Sequence, residues 1–514
     1  VIKLFRLTGF AKWLLLFFPY GLLAQGNDTF LTCMFESVGA YGQGDNAPFW
    51  HTSNRQGLSS VNTEWALMHM GAVGGMPVCK GLSLDYGVDL GLAAGMRSNL
   101  FVHQLYADLD YKWLGLEMGM KERWGELKNR SLSTGGLTWS GNSQPIPQIR
   151  AGIPEFVRIP VLGGWFSVKG HVAYGRFTDD KWRKERAENG PFKDRYTDGL
   201  LFHSKDLFIR VGNADRFPLQ VTLGLEMYSV FGGTLHNRPL EGTEILQEYK
   251  MPTDANAYLS ALMPFNKVGE QGKENGDILG SWHLSVDYTG KDWGARFYYE
   301  HFFEDHSSLI GVEYKNDLEG KKSFVSYGFK HNWLDGLFGI EVNLPDRLPV
   351  RCVVFEILNT RGQCGPVYKA TMFPVLEGVD GRDGMYTHEV YDSYSMAGNA
   401  IGSPILISPV YNKDCNQRFR SNRVLMYHLG VDGQIGKRWD YRALFTTTAH
   451  WGTYEDPFNE KQRVTSCLFE GFCRLGDADG WKVGLSLGFD INDGDLTGNN
   501  TGLLLTVSRL WRVL

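Results

Sequence analysis

The sequence predicts an all-β protein, a transmembrane antiparallel β-barrel of about seventeen strands with long outer loops. Three observations predict it. Segment after segment alternates apolar with glycine, polar or charged residues, the period of a strand whose two faces meet different surroundings. Beyond the N-terminus no stretch of the 514 residues approaches 18 consecutive apolar positions, so a membrane-spanning part has to be a closed barrel. Trp113, Trp293, Trp439 and Trp481 each open such a segment directly after a short polar turn, as an interfacial aromatic girdle requires.

The chain starts with Lys3, Arg6 and Lys12 and no acid, then an apolar run from Trp13 to Leu23 and a small residue at Ala24. This order is that of an export signal, read here as residues 1–24, with a barrel domain over 25–514. The run is about eleven residues long, and a spanning helix needs about 20. Cleavage removes three of 52 basic residues, so the mature chain is more acidic than the −5 of the whole. With 57 acidic residues present, no basic field invites nucleic acid. Glycine, at 62 residues, and 69 aromatic residues are abundant enough to need an assigned direction, into a core or out to lipid.

From Ser83, Leu84, Tyr86, Val88, Leu90 and Leu92 share one parity, and Asp85, Gly87, Asp89 and Gly91 the other. Leu114 to Met120, Val221 to Met227, Trp282 to Tyr288, Trp293 to Tyr299, Trp439 to Phe445 and Trp481 to Phe489 repeat the pattern. Asp89, Asp108 and Asp110 fall on the polar parity, where carboxylates in a barrel wall are expected to pair with interior arginines. Near the C-terminus, Asn500, Gly502, Leu505 and Val507 form a pattern that looks like the terminal signal of outer-membrane barrels. Long loops are expected at 178–205, 231–279, 359–423 and 452–480, with a short exposed helix near Lys181 to Glu188. A secreted sandwich or propeller also alternates, but no blade-length repeat is present.

Seven cysteines survive cleavage, an odd number. Cys352 with Cys364 and Cys467 with Cys473 are the local pairings available; free thiols or one loop disulfide are expected. No CxxC or HExxH motif occurs, nor a Gly-x-Ser-x-Gly elbow at a strand-to-helix turn, so neither a metal, a cofactor nor an enzyme is expected.

The segment 135–160, GGLTWSGNSQPIPQIRAGIPEFVRIP, stands apart. Pro145, Pro147, Pro154 and Pro160 argue against continuous pairing as a central strand. Trp139, Asn142, Gln144, Gln148, Arg150 and Arg158 supply an aromatic face, amides and guanidinium groups. A sugar packs its C–H face on an aromatic ring, and its hydroxyls match amides. The same groups would equally brace an inward-folded loop against the wall, and the sequence leaves both readings open.

At these residues the chain resembles a family, the outer-membrane capsule assembly proteins called Wzi, especially forms from the Bacteroides group. The resemblance rests on Ala47-Pro48-Phe49-Trp50 with Asn54 and Gly57, and on Trp139-Ser140-Gly141-Asn142 through Gly152-Ile153-Pro154. It continues through Leu201 to Lys205, Leu279 to Trp282, Phe355 to Thr360 with Gln363, Gly365 and Pro366, and Asp383 to Tyr391. Ile401 to Pro404 and Asn422 to Gly430 complete it, and Cys364, Met385 and Ser403 depart within their blocks. Together the blocks spread over nearly the whole mature chain.

The resemblance implies an 18-stranded barrel with a plugged lumen, in the outer membrane of a Gram-negative bacterium. It implies a lectin-like, non-enzymatic receptor that holds capsular or extracellular polysaccharide and assists capsule assembly. Outer-membrane lipid is the other expected partner, and a monomer is expected. Asp383, Tyr386 and His388 join Trp139, Asn142, Gln148, Arg150 and Arg158 as residues expected to bind polysaccharide or form the plug. A passive porin or transporter for small solutes is the alternative on the same barrel.

Overall fold

A computed structural model describes residues 29–191, 195–239, 245–263, 276–304, 312–316, 322–327, 334–363, 368–369, 378–379, 384–388, 390–476 and 480–514. The expected export signal, Cys364 and Asp383 lie outside them.

Eighteen strands pair antiparallel with their sequence neighbours. They are β1 (Phe30–Gln43), β2 (Trp65–Cys79), β3 (Leu82–Ala94), β4 (Leu100–Tyr111), β5 (Leu114–Met120) and β6 (Gln148–Ile159). There follow β7 (Phe166–Arg176), β8 (Leu201–Val211), β9 (Leu219–Phe231), β10 (Asp277–Thr289), β11 (Gly294–Glu304) and β12 (Gly336–Asn343). The last six are β13 (Val350–Asn359), β14 (Val424–Ile435), β15 (Trp439–Gly452), β16 (Pro457–Leu475), β17 (Trp481–Asn492) and β18 (Asn500–Arg512). β1 closes on β18 from Thr32↔Arg512 to Gln43↔Thr501, leaving no edge to pair with another chain. The terminal pattern around Asn500 is thus the closing strand.

Alternation does what the sequence predicts. Tyr86, Val88, Leu90 and Leu92 on β3 are exposed on the outside, whereas Asp85 and Asp89 are buried inside. Their partners are a histidine and a lysine in place of the expected arginines: Asp89 meets His69 at 3.1 Å, and Asp108 meets Lys121. Trp113, Trp293, Trp439 and Trp481 all lie exposed at the rim of short turns. The start of β1 and the end of β18 lie at that rim too, and the long loops leave from the other. Glycines relieve crowding in the wall: a Cβ on Gly339 would stand 2.1 Å from the Tyr298 ring that crosses it.

Four expectations are corrected. The presumed loop 452–480 is mostly β16, which turns back from β15 after only a few residues. It was illegible because its inward side mixes apolar Val464 and Leu468 with Ser466 and Glu470. Cys467 and Cys473 both sit on β16, about 20 Å apart along an extended strand, and do not bridge. Pro154 interrupts the pairing as expected but does not end the strand, since β6 pairs with β7 on both sides of a register shift between Ile153 and Val157. The helix near Lys181 exists as α2 (Asp180–Asn189), after a one-turn α1 (Phe49–Thr52), but it is not wholly exposed. Arg183 is buried on Asp179, and Arg186 donates to the carbonyls of Pro409 and Asn412.

A third helix, α3 (Ala255–Leu262), lies against the outside of the wall. Ala257 and Ala261 pack on Phe231, and its last carbonyls, Ala261 and Leu262, accept from Lys205. Lys205 shares the outward parity of exposed Leu207 and Ile209, so the helix end satisfies a cation the wall would otherwise leave bare.

Candidate functional site

The lumen is filled by three loop segments, roughly 45–60, 121–147 and 384–423, which pack on inward side chains of the wall. One apolar cluster joins Trp50, Leu132, Leu137, Trp139, Tyr386 and Leu406 of these segments to Phe202, Tyr228, Tyr298, Val354 and Met426 of the strands. Loop backbone buried this way needs hydrogen-bond partners, and carboxylates of the wall supply them.

Glu356 on β13 is fully buried and accepts from Ser133 Oγ at 2.6 Å, Thr134 N at 2.7 Å and Thr134 Oγ1 at 2.7 Å. Tyr298 also donates to it. Glu300 on β11 accepts from the Leu137 N–H at 2.8 Å and the Thr138 N–H at 3.1 Å, and pairs with Lys128. Asp490 on β17 accepts from Phe49 N at 2.9 Å, and Glu470 on β16 accepts from Arg55 at 2.9 Å. His428 Nε2 meets the Leu132 carbonyl at 2.7 Å. On α1, His51 packs against Ser486 at 3.1 Å; burial, helped by nearby Arg55, lowers its pKa to about 3 and keeps the ring neutral.

The loop segments also bind one another. Ser140 N donates to Ile401 O at 3.0 Å, and Ser140 Oγ to Gly402 O at 2.6 Å. Asn142 Nδ2 donates to Ala400 O at 3.0 Å, and Asn142 Oδ1 accepts from Asn54 N at 3.2 Å. Tyr386 donates to Leu137 O and accepts from Ser403 N at 3.0 Å. A Cβ on Gly402 would meet both the Leu137 carbonyl and the Tyr386 hydroxyl at 2.1 Å, so only glycine fits.

Of the residues singled out in the sequence, Trp139, Asn142 and Tyr386 come together in this plug. Trp139 is buried and stacks on Tyr228 with centroids 5.1 Å apart and planes 13° apart, so its flat face is occupied by a wall residue. Gln148 is buried at the start of β6; with its amide oxygen turned to Arg123 it accepts from Nε at 2.7 Å. Arg150 is half-buried, 3.9 Å from Asp206. Arg158 stands apart: it is exposed at the short-turn end of β6, 2.9 Å from Asp215. Half-buried His388 accepts at Nδ1 from Val390 N at 3.0 Å, and its ring is tilted against that of Tyr391 with centroids 5.1 Å apart.

Two arrangements escaped the sequence. Glu226, His283 and Glu300, from three adjacent strands, bring donor atoms within 4.8 Å of one another, a ligand-like set that no linear spacing reveals. The Lys128 ammonium on Glu300 already supplies positive charge there, which makes the set an ion network tying plug to wall. Above the long-loop rim, strands Tyr196–Asp198, Thr234–Pro239 and Ile245–Lys250 form a small sheet. On it Tyr196 and His236 stack 4.5 Å apart, with Asp198 3.1 Å from the imidazole. An aromatic face beside a carboxylate suits a sugar.

No family model and no curated protein matches the sequence. Among solved structures the chain is similar to Wzi, an outer membrane protein involved in group 1 capsule assembly in Escherichia coli and a carbohydrate binding β-barrel. The likeness has a TM-score of 0.54 and 10% identity, over 92% of this chain and 83% of that one. The fold is Wzi-like. The chain is also similar to Pseudomonas aeruginosa OprD, at TM-score 0.43 and 10% identity over 95% and 96% of the two chains. Acinetobacter baumannii OccAB3 follows at TM-score 0.45 and 9% identity, over 94% and 99%. At such identities the Wzi likeness establishes a shared fold, and the family resemblance read from the sequence remains a resemblance.

Proposed function

We propose that this protein is an outer-membrane receptor that binds capsular or extracellular polysaccharide at the cell surface and assists capsule assembly, without itself being an enzyme. An export signal at residues 1–24 delivers it. The observation that carries the reading is the plug: loop segments anchored by buried carboxylates fill a lumen that a solute channel would keep open. The Wzi-like fold supports it, since that neighbour binds carbohydrate.

In this reading Trp139, Asn142 and Tyr386 hold the plug, Gln148 and Arg150 line the lumen beneath it, and the polysaccharide rests on the surface loops above. The Tyr196–His236–Asp198 patch and His388 are the contact points, with Asp383 beside His388 in sequence. Surface polysaccharide from the source organism, immobilised and titrated with detergent-solubilised protein, tests this. Saturable binding that weakens several-fold in Tyr196→Ala is expected; no binding by the wild type would refute the proposal. A passive porin is the second reading, favoured by the charged lining of Asp85, Asp108, Glu117, Lys121 and Arg123 on the short-turn side. Swelling of liposomes in small sugars would then track the protein's content.

A further inference from the structure

The long-loop rim of β13 to β16 carries a row of basic residues on its outer side. Parity along each strand gives their direction. Arg423 continues the outward register of Tyr427, Arg361 that of Phe355, Trp451 that of Phe445, and Lys461 and Arg463 that of Phe469, all four reference aromatics being exposed. These strands are consecutive neighbours, so the four cations span about 15 Å of wall.

The height is that of a membrane interface. Trp451 lies twelve residues beyond Trp439 on β15, about 40 Å along the strand and about 30 Å across the barrel at a tilt of about 40°. That is one bilayer core above the short-turn girdle, with Tyr427, Leu429 and Phe445 exposed between.

The guanidinium groups lie over rings: Arg361 5.3 Å from the centroid of Trp451, and Arg423 4.1 Å from that of Tyr454. Tyr454 in turn donates to the Arg361 carbonyl at 2.9 Å, locking the pair together. Arg423 Nε is buried without a hydrogen-bond partner.

Nearby acids have partners of their own. Glu455 pairs with Arg418 at 3.3 Å and Asp495 with Arg420 at 3.1 Å. Asp335 accepts from Asn359 and the Gly362 N–H, and Asp493 from the Arg463 N–H. Among the described residues no carboxylate lies within ion-pairing distance of Arg361, Arg423, Lys461 or Arg463.

Arg361 Nε donates to Asn359 Oδ1 at 2.8 Å, which leaves its two terminal nitrogens for a ligand. Guanidinium groups without a carboxylate partner, set beside aromatic rings at the boundary between apolar belt and water, match phosphate oxygens geometrically and electrostatically. We propose that this row binds the phosphates of a lipid headgroup in the outer leaflet, anchoring and orienting the barrel on one side. The inference rests on the membrane reading above.

The probe is lipid A, a diphosphorylated acylated disaccharide, titrated into the full chain in neutral detergent and followed by native mass spectrometry. Parallel arms use phosphatidylcholine, inorganic phosphate and an acidic oligosaccharide without acyl chains. The double variant R361Q/R423Q is expected to bind lipid A at least tenfold more weakly, with insertion into liposomes unchanged. R420Q, whose partner is Asp495, is expected to bind as the wild type does. Equal lipid A binding by wild type and double variant overturns the proposal, as does acidic oligosaccharide binding as tight as lipid A. A wild type that fails to enter liposomes would bring down the membrane reading itself; entry with undiminished lipid A binding by the double variant removes only this site.

Discussion

The outer wall and the plug are built by opposite rules. On the wall, each residue's role is set by its parity: Leu90 faces out because Asp89 faces in, and any apolar residue of similar shape would serve at Leu90. In the plug, roles are set by single contacts between distant segments, such as Ser140 with Gly402 or Leu137 with Glu300. The wall tolerates apolar exchange and refuses charge, and the plug refuses small changes at its anchor points.

The sharpest way to break this contrast is Glu300→Ala. It removes the acceptor of two plug N–H groups and leaves Lys128 buried without its partner, a loss of about 3–5 kcal/mol. The midpoint of urea unfolding, read by heat-modifiable gel mobility, should fall sharply, and a value near wild type would show that the plug is not held by this anchor. Next, Leu90→Arg places a charge in the middle of the exposed belt of β3 and should cost about 2–4 kcal/mol in lipid, while Leu90→Ile costs little. Refolding yields into vesicles separate the two; equal yields would mean that this face does not meet lipid.

Gly402→Ala comes third. The new methyl collides with the Leu137 carbonyl and the Tyr386 hydroxyl, and about 1–3 kcal/mol is expected, visible as faster proteolysis of the loops above an intact barrel. The smallest effect belongs to Arg158→Ala, which breaks an exposed ion pair with Asp215. A change within about 1 kcal/mol, and unaltered polysaccharide binding, would match its position on the far rim.

The same contrast explains what was legible in the sequence. Period-two alternation and strand-opening tryptophans gave the wall, because a strand residue's surroundings follow from its immediate neighbours in the chain. β16 was missed because its inward side packs partly on apolar plug residues, which erases the unlike-faces signal around Val464 and Leu468. The segment around Trp139 was recognisable as special, yet composition did not tell an aromatic face offered to a sugar from one stacked on Tyr228. The distinction depends on a residue 89 positions away. Glu226, His283 and Glu300 were invisible for the same reason, since only strand register brings them together. The outward arginines were legible as single residues, but their row exists only once β13 to β16 lie side by side.

The central claim is that the plug closes the barrel. Single-protein recordings in planar lipid bilayers test it most directly: inserted wild-type protein should be almost silent, with Glu300→Ala raising the frequency of openings. Steady wild-type conductance of the size of an open porin would contradict the account.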